Sequence, residues 1–286
     1  MLRWYQAIAI GEVTLDNAPS AVAFDGESIW VAHAGGRQLS KVRPADGTAL
    51  GTFDIGAAAA DPSSLVFDGA NLWVATQQGD VRQIRTRDGA LVATYPLGGN
   101  AVSLAFDGTS IWIAAPTQNA VLQLRTTNGA IMGSLTLPSG ASPAGLAFDG
   151  ENIWITHAGL DTVSKIQATD GTDRGTFQVR ENPRGVAFDG TNVWVVNQKG
   201  NNVTKLLAKD GTIMGTYAVG KGPVGVAFDG NNVWVTNQAD NTVSKLRASD
   251  GAPLGTFGVG TAPAGLAFDG ANIWVANSGA NTLSKR

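Results

Sequence analysis

Short apolar runs alternate with glycine- and aspartate-rich turns along most of the chain. One such stretch has four runs, which are GVAF at 225–228, NVWVTN at 232–237, TVSKLRA at 242–248 and PLGTFGV at 253–259. Each run is rich in valine, leucine and aromatic residues and is bounded by Gly, Asp or Asn, a pattern typical of a β-strand. The apolar spacing of an amphipathic helix is nowhere sustained. The stretch therefore predicts four short strands.

The same unit recurs along the whole chain. A Phe-Asp-Gly triplet marks each copy, and it starts at Phe24, Phe67, Phe106, Phe148, Phe188, Phe228 and Phe268, in steps of 43, 39, 42, 40, 40 and 40 residues. Four short strands in a repeat of this length are the signature of a β-propeller blade. The sequence therefore predicts an all-β, seven-bladed propeller with four-stranded antiparallel blades.

A second set of turns lies between the third and fourth strands of the unit. These turns are Asp46-Gly47, Asp88-Gly89, Asn128-Gly129, Asp170-Gly171, Asp210-Gly211 and Asp250-Gly251. Asp-Gly and Asn-Gly tolerate the positive φ of tight hairpins. Because Asn replaces Asp at position 128, these residues indicate turn geometry rather than carboxylate chemistry.

The two ends of the chain together spell one blade. The chain stops inside its seventh third strand, and residues 8–19 align without a gap to residues 252–263, around a fourth strand. A propeller whose last blade is completed by the N-terminal strand has no open blade face. We therefore expect one propeller over residues 1–286, closed by residues 1–16, which complete the blade formed by 264–286.

Two side chains repeat with the blade period. A Trp follows each Phe of the triplet by six residues, and we expect these rings to fill the layer between blades rather than to bind sugars. A Lys recurs in the third strand, and we expect its stem to pack on apolar surface with its ammonium in water. The lysines of this set are Lys41, Lys165, Lys205, Lys245 and Lys285.

Composition and charge narrow the choice of partner. The chain has a net charge of −3 with scattered Lys and Arg, no Cys, and no apolar run long enough for a membrane helix. We therefore expect neither nucleic acid nor membrane as a partner, and we expect a monomer. The N-terminus lacks the features of a signal peptide, so the composition allows a location inside or outside the cytoplasm.

The repeat also carries a family resemblance. The unit AFDGxNxWVxNxxxNTVSKLxxxDGxxxGTFxVGxxPxG resembles bacterial NHL and YVTN-type propeller repeats and, more closely, the repeats of the streptogramin (virginiamycin B) lyase superfamily. The lyases of that superfamily use His and Glu around a magnesium ion at the channel mouth. Here His33, His157 and the four Glu residues form no such cluster along the sequence. The resemblance therefore implies the fold, and we expect no catalytic residue, metal or cofactor.

Variable polar residues mark one face of the predicted ring. The second strand ends, and the first strand begins, on the same face, which we call the top. The candidate ligand-binding residues at these positions are His33, Thr76, His157, Arg184, Asn197, Gln198, Asn237, Gln238 and Asn277. One interpretation is a polar binding mouth in which Arg184 holds an anionic or carboxylate group. In the other, the Asn and His side chains cap strand ends through backbone hydrogen bonds.

These observations lead to one expected function and two alternatives. We expect a non-catalytic binding or scaffold propeller whose top face binds a protein, a peptide or a glycan. The first alternative is a lyase- or lactonase-like enzyme with a reduced metal site. The second is an engineered or consensus-like structural repeat protein that has no ligand.

Overall fold

The computed structural model describes residues 11–56 and 61–286. Within these ranges the chain forms seven four-stranded antiparallel sheets and one short 3-10 turn, Pro116–Gln118. The strands are β1 (Glu12–Thr14), β2 (Pro19–Phe24), β3 (Ile29–His33), β4 (Gln38–Val42), β5 (Ala49–Asp54), β6 (Pro62–Phe67), β7 (Asn71–Thr76), β8 (Asp80–Arg85), β9 (Leu91–Pro96), β10 (Ser103–Phe106), β11 (Ser110–Ala115), β12 (Ala120–Arg125), β13 (Ile131–Thr136), β14 (Pro143–Phe148), β15 (Asn152–His157), β16 (Thr162–Gln167), β17 (Asp173–Gln178), β18 (Pro183–Phe188), β19 (Asn192–Asn197), β20 (Asn202–Leu207), β21 (Ile213–Ala218), β22 (Pro223–Phe228), β23 (Asn232–Asn237), β24 (Thr242–Arg247), β25 (Pro253–Gly258), β26 (Pro263–Phe268), β27 (Ile273–Asn277) and β28 (Thr282–Lys285).

Each sheet is one blade, and in six of the seven blades the strands lie in chain order. Blades 1 to 6 are β2–β5, β6–β9, β10–β13, β14–β17, β18–β21 and β22–β25, and blade 7 is β26–β28 with β1. The first strands of neighbouring blades contact one another all the way round, and β26 of blade 7 contacts β2 of blade 1. The first strands therefore line a central channel, and the predicted seven-bladed all-β propeller is confirmed.

The N-terminal strand closes the ring as predicted. β1 is the outermost strand of blade 7 and pairs antiparallel with β28, with Val13 opposite Leu283. The backbone N–H of Leu15 extends the pairing by donating to the carbonyl of Asn281 at 2.8 Å. Residues 1–10, the remainder of the segment predicted to complete this blade, lie outside the described residues.

The Phe-Asp-Gly turn does more than reverse the chain. In blade 5, Asp189 Oδ1 accepts the backbone N–H groups of Thr191 and Asn192, while Oδ2 accepts the indole N–H of Trp194 at 2.8 Å. The indole bond recurs in all seven blades at 2.6–2.8 Å. One carboxylate thus orders the hairpin and satisfies the buried Trp donor, which explains their constant spacing.

The seven tryptophans lie between blades, as predicted. Trp154 of blade 4 is fully buried and packs against Val193 and Val195 of blade 5. Trp234 is the most exposed of the seven, with 6% of its surface accessible. These rings therefore belong to the apolar layers that hold the blades together.

The prediction for the third-strand lysines is wrong for Lys165 and Lys205, whose ammonium groups are buried. Lys205 Nζ donates to the carbonyls of Ala248 and Ser249 in blade 6 at 2.7 and 3.0 Å, and it lies 5.2 Å from the Trp194 ring centroid. Lys165 Nζ makes the equivalent bonds to blade 5. The charge is held by carbonyls and a π face, so it links neighbouring blades instead of reaching water.

Candidate functional site

A cavity of about 540 Å³ occupies the top part of the channel. Its walls are first strands, and loops of the top face complete its rim. The first strands run away from the top face, so residues late in each strand lie deeper. The deeper lining is an aliphatic ring made of Val22, Leu65, Leu146, Val186, Val226 and Leu266. Val22, Leu146 and Val186 are buried in the apolar layers between blades, so the partly exposed members are Leu65, Val226 and Leu266. The cavity therefore has a polar rim and an apolar lower wall.

The serines on one side of the cavity connect neighbouring blades. Ser20 Oγ donates to the carbonyl of Pro62 at 2.9 Å, and Ser63 Oγ donates to the carbonyl of Ala101 at 2.6 Å. Ser103 Oγ accepts the backbone N–H of Leu146 at 3.1 Å. The donors of Ser20 and Ser63 are thus used between first strands, and a ligand on this side would meet few free donors.

Arg184 lies on the opposite side, at the second position of the first strand of blade 5. Its Nε donates to Asn182 Oδ1 at 3.0 Å and to Gln198 Oε1 at 3.1 Å. Among the residues that the structure describes, no acceptor bonds to its two terminal nitrogens. Arg184 is also the only charged residue among the described residues that line the cavity. The site thus presents a braced guanidinium whose fork is free to bind an anion.

The structure divides the nine predicted site residues into two groups. Three of them, Arg184, Gln198 and Gln238, line the cavity together. The other six side chains lie inside blades with at most 1% of their surface exposed, and they are His33, Thr76, His157, Asn197, Asn237 and Asn277. The structure therefore brings only the blade 5 and blade 6 members together at the channel mouth.

Most of the six buried residues pair with a hydroxyl on the third strand of their own blade. Asn237 Nδ2, for example, donates to Ser244 Oγ at 2.9 Å, and His157 Nε2 lies 2.7 Å from Ser164 Oγ. The pairs are His33 with Ser40, His157 with Ser164, Asn197 with Thr204, Asn237 with Ser244, and Asn277 with Ser284. The partners lie seven residues apart, so comparing both positions across repeats would have revealed the pairing.

Blade 2 fills the same place with a buried ion pair. Thr76 Oγ1 donates to Asp80 Oδ1 at 2.7 Å, and Arg82 binds both Asp80 oxygens at 3.0 Å through Nε and Nη2. Arg82 also donates through Nη1 to the carbonyl of Ile55 in the preceding blade segment at 2.8 Å. The Thr76 hydroxyl and both Asp80 carboxylate oxygens are therefore hydrogen-bonded within blade 2.

Burial keeps both imidazoles neutral. It lowers the pKa of His157 to about 4, and among the described residues its Nδ1 has no hydrogen-bond partner. Burial also lowers the pKa of His33, but the bond from Nδ1 to the Asn17 carbonyl and the charge of Asp16 oppose that shift.

In the described ranges no three His, Cys, Asp or Glu side chains cluster in a way that could hold a metal ion. No helix there is long and apolar enough to cross a membrane.

Comparisons with known proteins agree on the architecture. No family model and no curated protein sequence matches the chain. A streptogramin B lyase structure matches with a TM-score of 0.83 at 18% identity, over 96% of this chain and 95% of that one. Selenomethionine-substituted virginiamycin B lyase from Staphylococcus aureus matches with a TM-score of 0.82 at 19% identity, over 96% and 97% of the two chains. A catalytically inactive variant of that lyase with quinupristin gives a TM-score of 0.82 at 20% identity and the same coverages. At these identities the likeness establishes the fold, and this chain is a seven-bladed β-propeller similar to streptogramin B lyase.

Proposed function

We propose that this protein is a non-catalytic binding propeller whose top cavity receives part of a partner polypeptide. The observation that carries the proposal is the amphipathic cavity, with free donors at the blade 5 rim and an aliphatic ring below. Ligand sites combine an apolar wall with a few convergent polar groups in this way. In this proposal the chain acts as a monomer of the NHL and YVTN type, and its partner is neither nucleic acid nor a membrane.

A polypeptide fits the cavity better than a glycan does. Sugar sites stack rings on exposed aromatic faces, whereas the seven repeat tryptophans are buried between blades. Within the ranges 11–56 and 61–286, the residues that line the cavity include no aromatic side chain. Aliphatic walls and amide or guanidinium donors instead suit peptide side chains and carbonyl or carboxylate groups.

The proposal can be tested by blocking the cavity. Ala264 lines the rim in blade 7, and Ala271 is exposed in the Phe-Asp-Gly turn of the same blade, on the opposite face. We expect Ala264→Trp to weaken binding to an array of random heptapeptides at least about 10-fold, the loss expected when a large side chain excludes a ligand side chain. Ala271→Trp is the matched control and should bind as the unmodified chain does. Equal binding by both variants, or no peptide bound by any form, would contradict the proposal.

The likeness to the lyase bound to quinupristin supports a second candidate, a lyase-like enzyme. In this chain both imidazoles are buried and hydrogen-bonded to serines, so neither faces the cavity as a proton acceptor. The enzyme alternative predicts that the chain consumes quinupristin in the presence of magnesium. Chromatography of the incubated mixture would show this, and a time-dependent loss of quinupristin would favour the enzyme over the binding propeller.

A further inference from the structure

We infer that the cavity captures a polypeptide C-terminus, with the terminal carboxylate on the fork of Arg184 and the last side chain against the aliphatic ring. This inference rests on the proposed binding function and specifies its ligand. It assigns separate roles to the two levels of the cavity. The rim holds the charge, and the deeper wall holds an aliphatic group.

The orientation of Arg184 favours a carboxylate. Asn182 Oδ1 and Gln198 Oε1 both accept from Nε, so the base of the guanidinium is fixed by two neutral groups. Asn182 is itself held, because its backbone N–H donates to Asp161 Oδ1 at 2.8 Å. The two terminal nitrogens keep their parallel donors, which match the two oxygens of a carboxylate.

Among the described residues, no carboxylate forms an ion pair with Arg184. Of the described residues that line the cavity none is acidic, so Arg184 is the charge that a ligand in the mouth would meet, with Asp161 set behind Asn182. The side chain of Gln238 lines the same cavity from the next blade and can add an amide donor or acceptor. An anionic group entering the mouth would therefore be attracted towards the blade 5 side.

The aliphatic ring selects a chain end over an internal acidic residue. In a C-terminal residue, the carboxylate and the side chain leave the same Cα, so one residue can satisfy the rim and the deeper wall together. An Asp or Glu side chain places its carboxylate at its own tip and has no aliphatic group beyond it. Val226 of blade 6 is the partly exposed ring member nearest to this side of the rim, whereas Val186 of blade 5 is buried in the layer that contains Trp154. We therefore expect a last residue such as Leu, Ile or Val.

The test uses one peptide in two forms. The strongest heptapeptide from the array is made with a free C-terminal carboxylate and as its C-terminal amide, and both affinities are measured by calorimetry. Hydrogen bonds to a charged group contribute enough for a difference of about 10- to 100-fold in favour of the acid. Arg184→Gln should remove this difference, while Arg184→Lys should retain part of it. Replacing the last residue by Ser should weaken the acid form further.

Arg180→Gln is the matched control for charge. Arg180 is exposed in the same segment and does not line this cavity, so its variant should keep the full preference for the acid. Thermal melting of each variant checks that the ring is intact. If acid and amide bind equally well and Ala264→Trp abolishes both, the inference is wrong and the binding function stands. If no peptide binds in either form, the proposed function itself fails.

Discussion

Two interfaces between blades share a backbone and differ in the contacts that cross them. At the interface of blades 5 and 6, the Tyr217 ring lies 5.6 Å from the Trp194 ring and covers Gly251, where a Cβ would overlap it. Lys205 adds hydrogen bonds to the carbonyls of Ala248 and Ser249. Ring, tryptophan and ammonium thus form one continuous contact from blade 5 to the next blade.

At the interface of blades 3 and 4, two of these components are replaced. Gln123 stands opposite Trp112 where blade 5 has Lys205, and Leu135 stands where blade 5 has Tyr217. No atom comes within 4 Å of a Cβ placed on Gly171, the equivalent turn glycine of blade 4. The Asp107–Trp112 hydrogen bond is nevertheless present at 2.7 Å. Strand pairing and the Asp–Trp unit are therefore common to both interfaces, while the ring and the ammonium add local stability.

The turn glycines should show the largest difference between the interfaces. Gly251 and Gly171 have φ of +76° and +73°, so Ala at either site bears a left-handed cost of about 1–2 kcal/mol. Only at Gly251 would the methyl group overlap a packed ring, which adds about 1–3 kcal/mol of overpacking. We expect Gly251→Ala to lower the free energy of unfolding by about 4 kcal/mol and Gly171→Ala by about 1 kcal/mol.

Urea unfolding of the two glycine variants measures this difference directly. Each is the control for the other, because the substitution, the turn and the sign of φ are the same. Equal destabilisation would mean that the backbone conformation alone accounts for the loss. In that case the Tyr217 ring moves aside, and the interface of blades 5 and 6 is no tighter than the other.

Acid should weaken the interface of blades 3 and 4 more than its counterpart. His157 lies two residues after Ile155, on the blade 4 face that packs on blade 3, and Asn237 takes its place in blade 6. Burial holds the pKa of His157 at about 4, below the ordinary 6.5, so the unfolded chain binds this proton more readily. The stability gained by keeping it neutral is lost as pH falls from 6.5 through 4, by about 3 kcal/mol at pH 4.

His157→Asn is the variant that isolates this effect, because Asn237 shows that Asn bonds the equivalent serine. Turn carboxylates with lowered pKa, such as Asp229 and Asp269, also lose stability in acid, but they do so equally in both proteins. We therefore expect the variant to lose about 3 kcal/mol less than the parent between pH 7 and pH 4. If the free energies of unfolding of the parent and the variant changed equally with pH, burial would not lower the pKa of His157.

The repeating pattern of the sequence predicted the fold, but it did not predict which polar side chains are buried by contacts with residues far away in the chain. Strands and turns follow from apolar runs and Asp-Gly pairs that lie a few residues apart, and ring closure follows from the likeness of residues 8–19 to residues 252–263. Lys205 is different, because the carbonyls that bury it come from Ala248 and Ser249, more than 40 residues later. Likewise, Asn237 and Gln238 are neighbours in the chain, yet only Gln238 lines the cavity while Asn237 turns into its blade. Polar type and position alone could not separate them.

The smallest expected effect is a gain at the weaker interface. Leu135 occupies the site of the fourth-strand ring in blade 3, and the space above Gly171 that such a ring would cover holds no atom within 4 Å. Leu135→Phe should therefore stack on Trp112 and bury additional apolar surface without a clash, which stabilises the protein by about 1 kcal/mol. The converse variant, Tyr217→Leu, should lose a similar amount or more, because it uncovers Gly251 and removes the stack on Trp194. Thermal unfolding of both variants measures the gain and the loss together. A destabilised Leu135→Phe would show that blade 3 and blade 4 are already as close as their backbones allow, so that the missing ring reflects a narrower gap rather than an unfilled one.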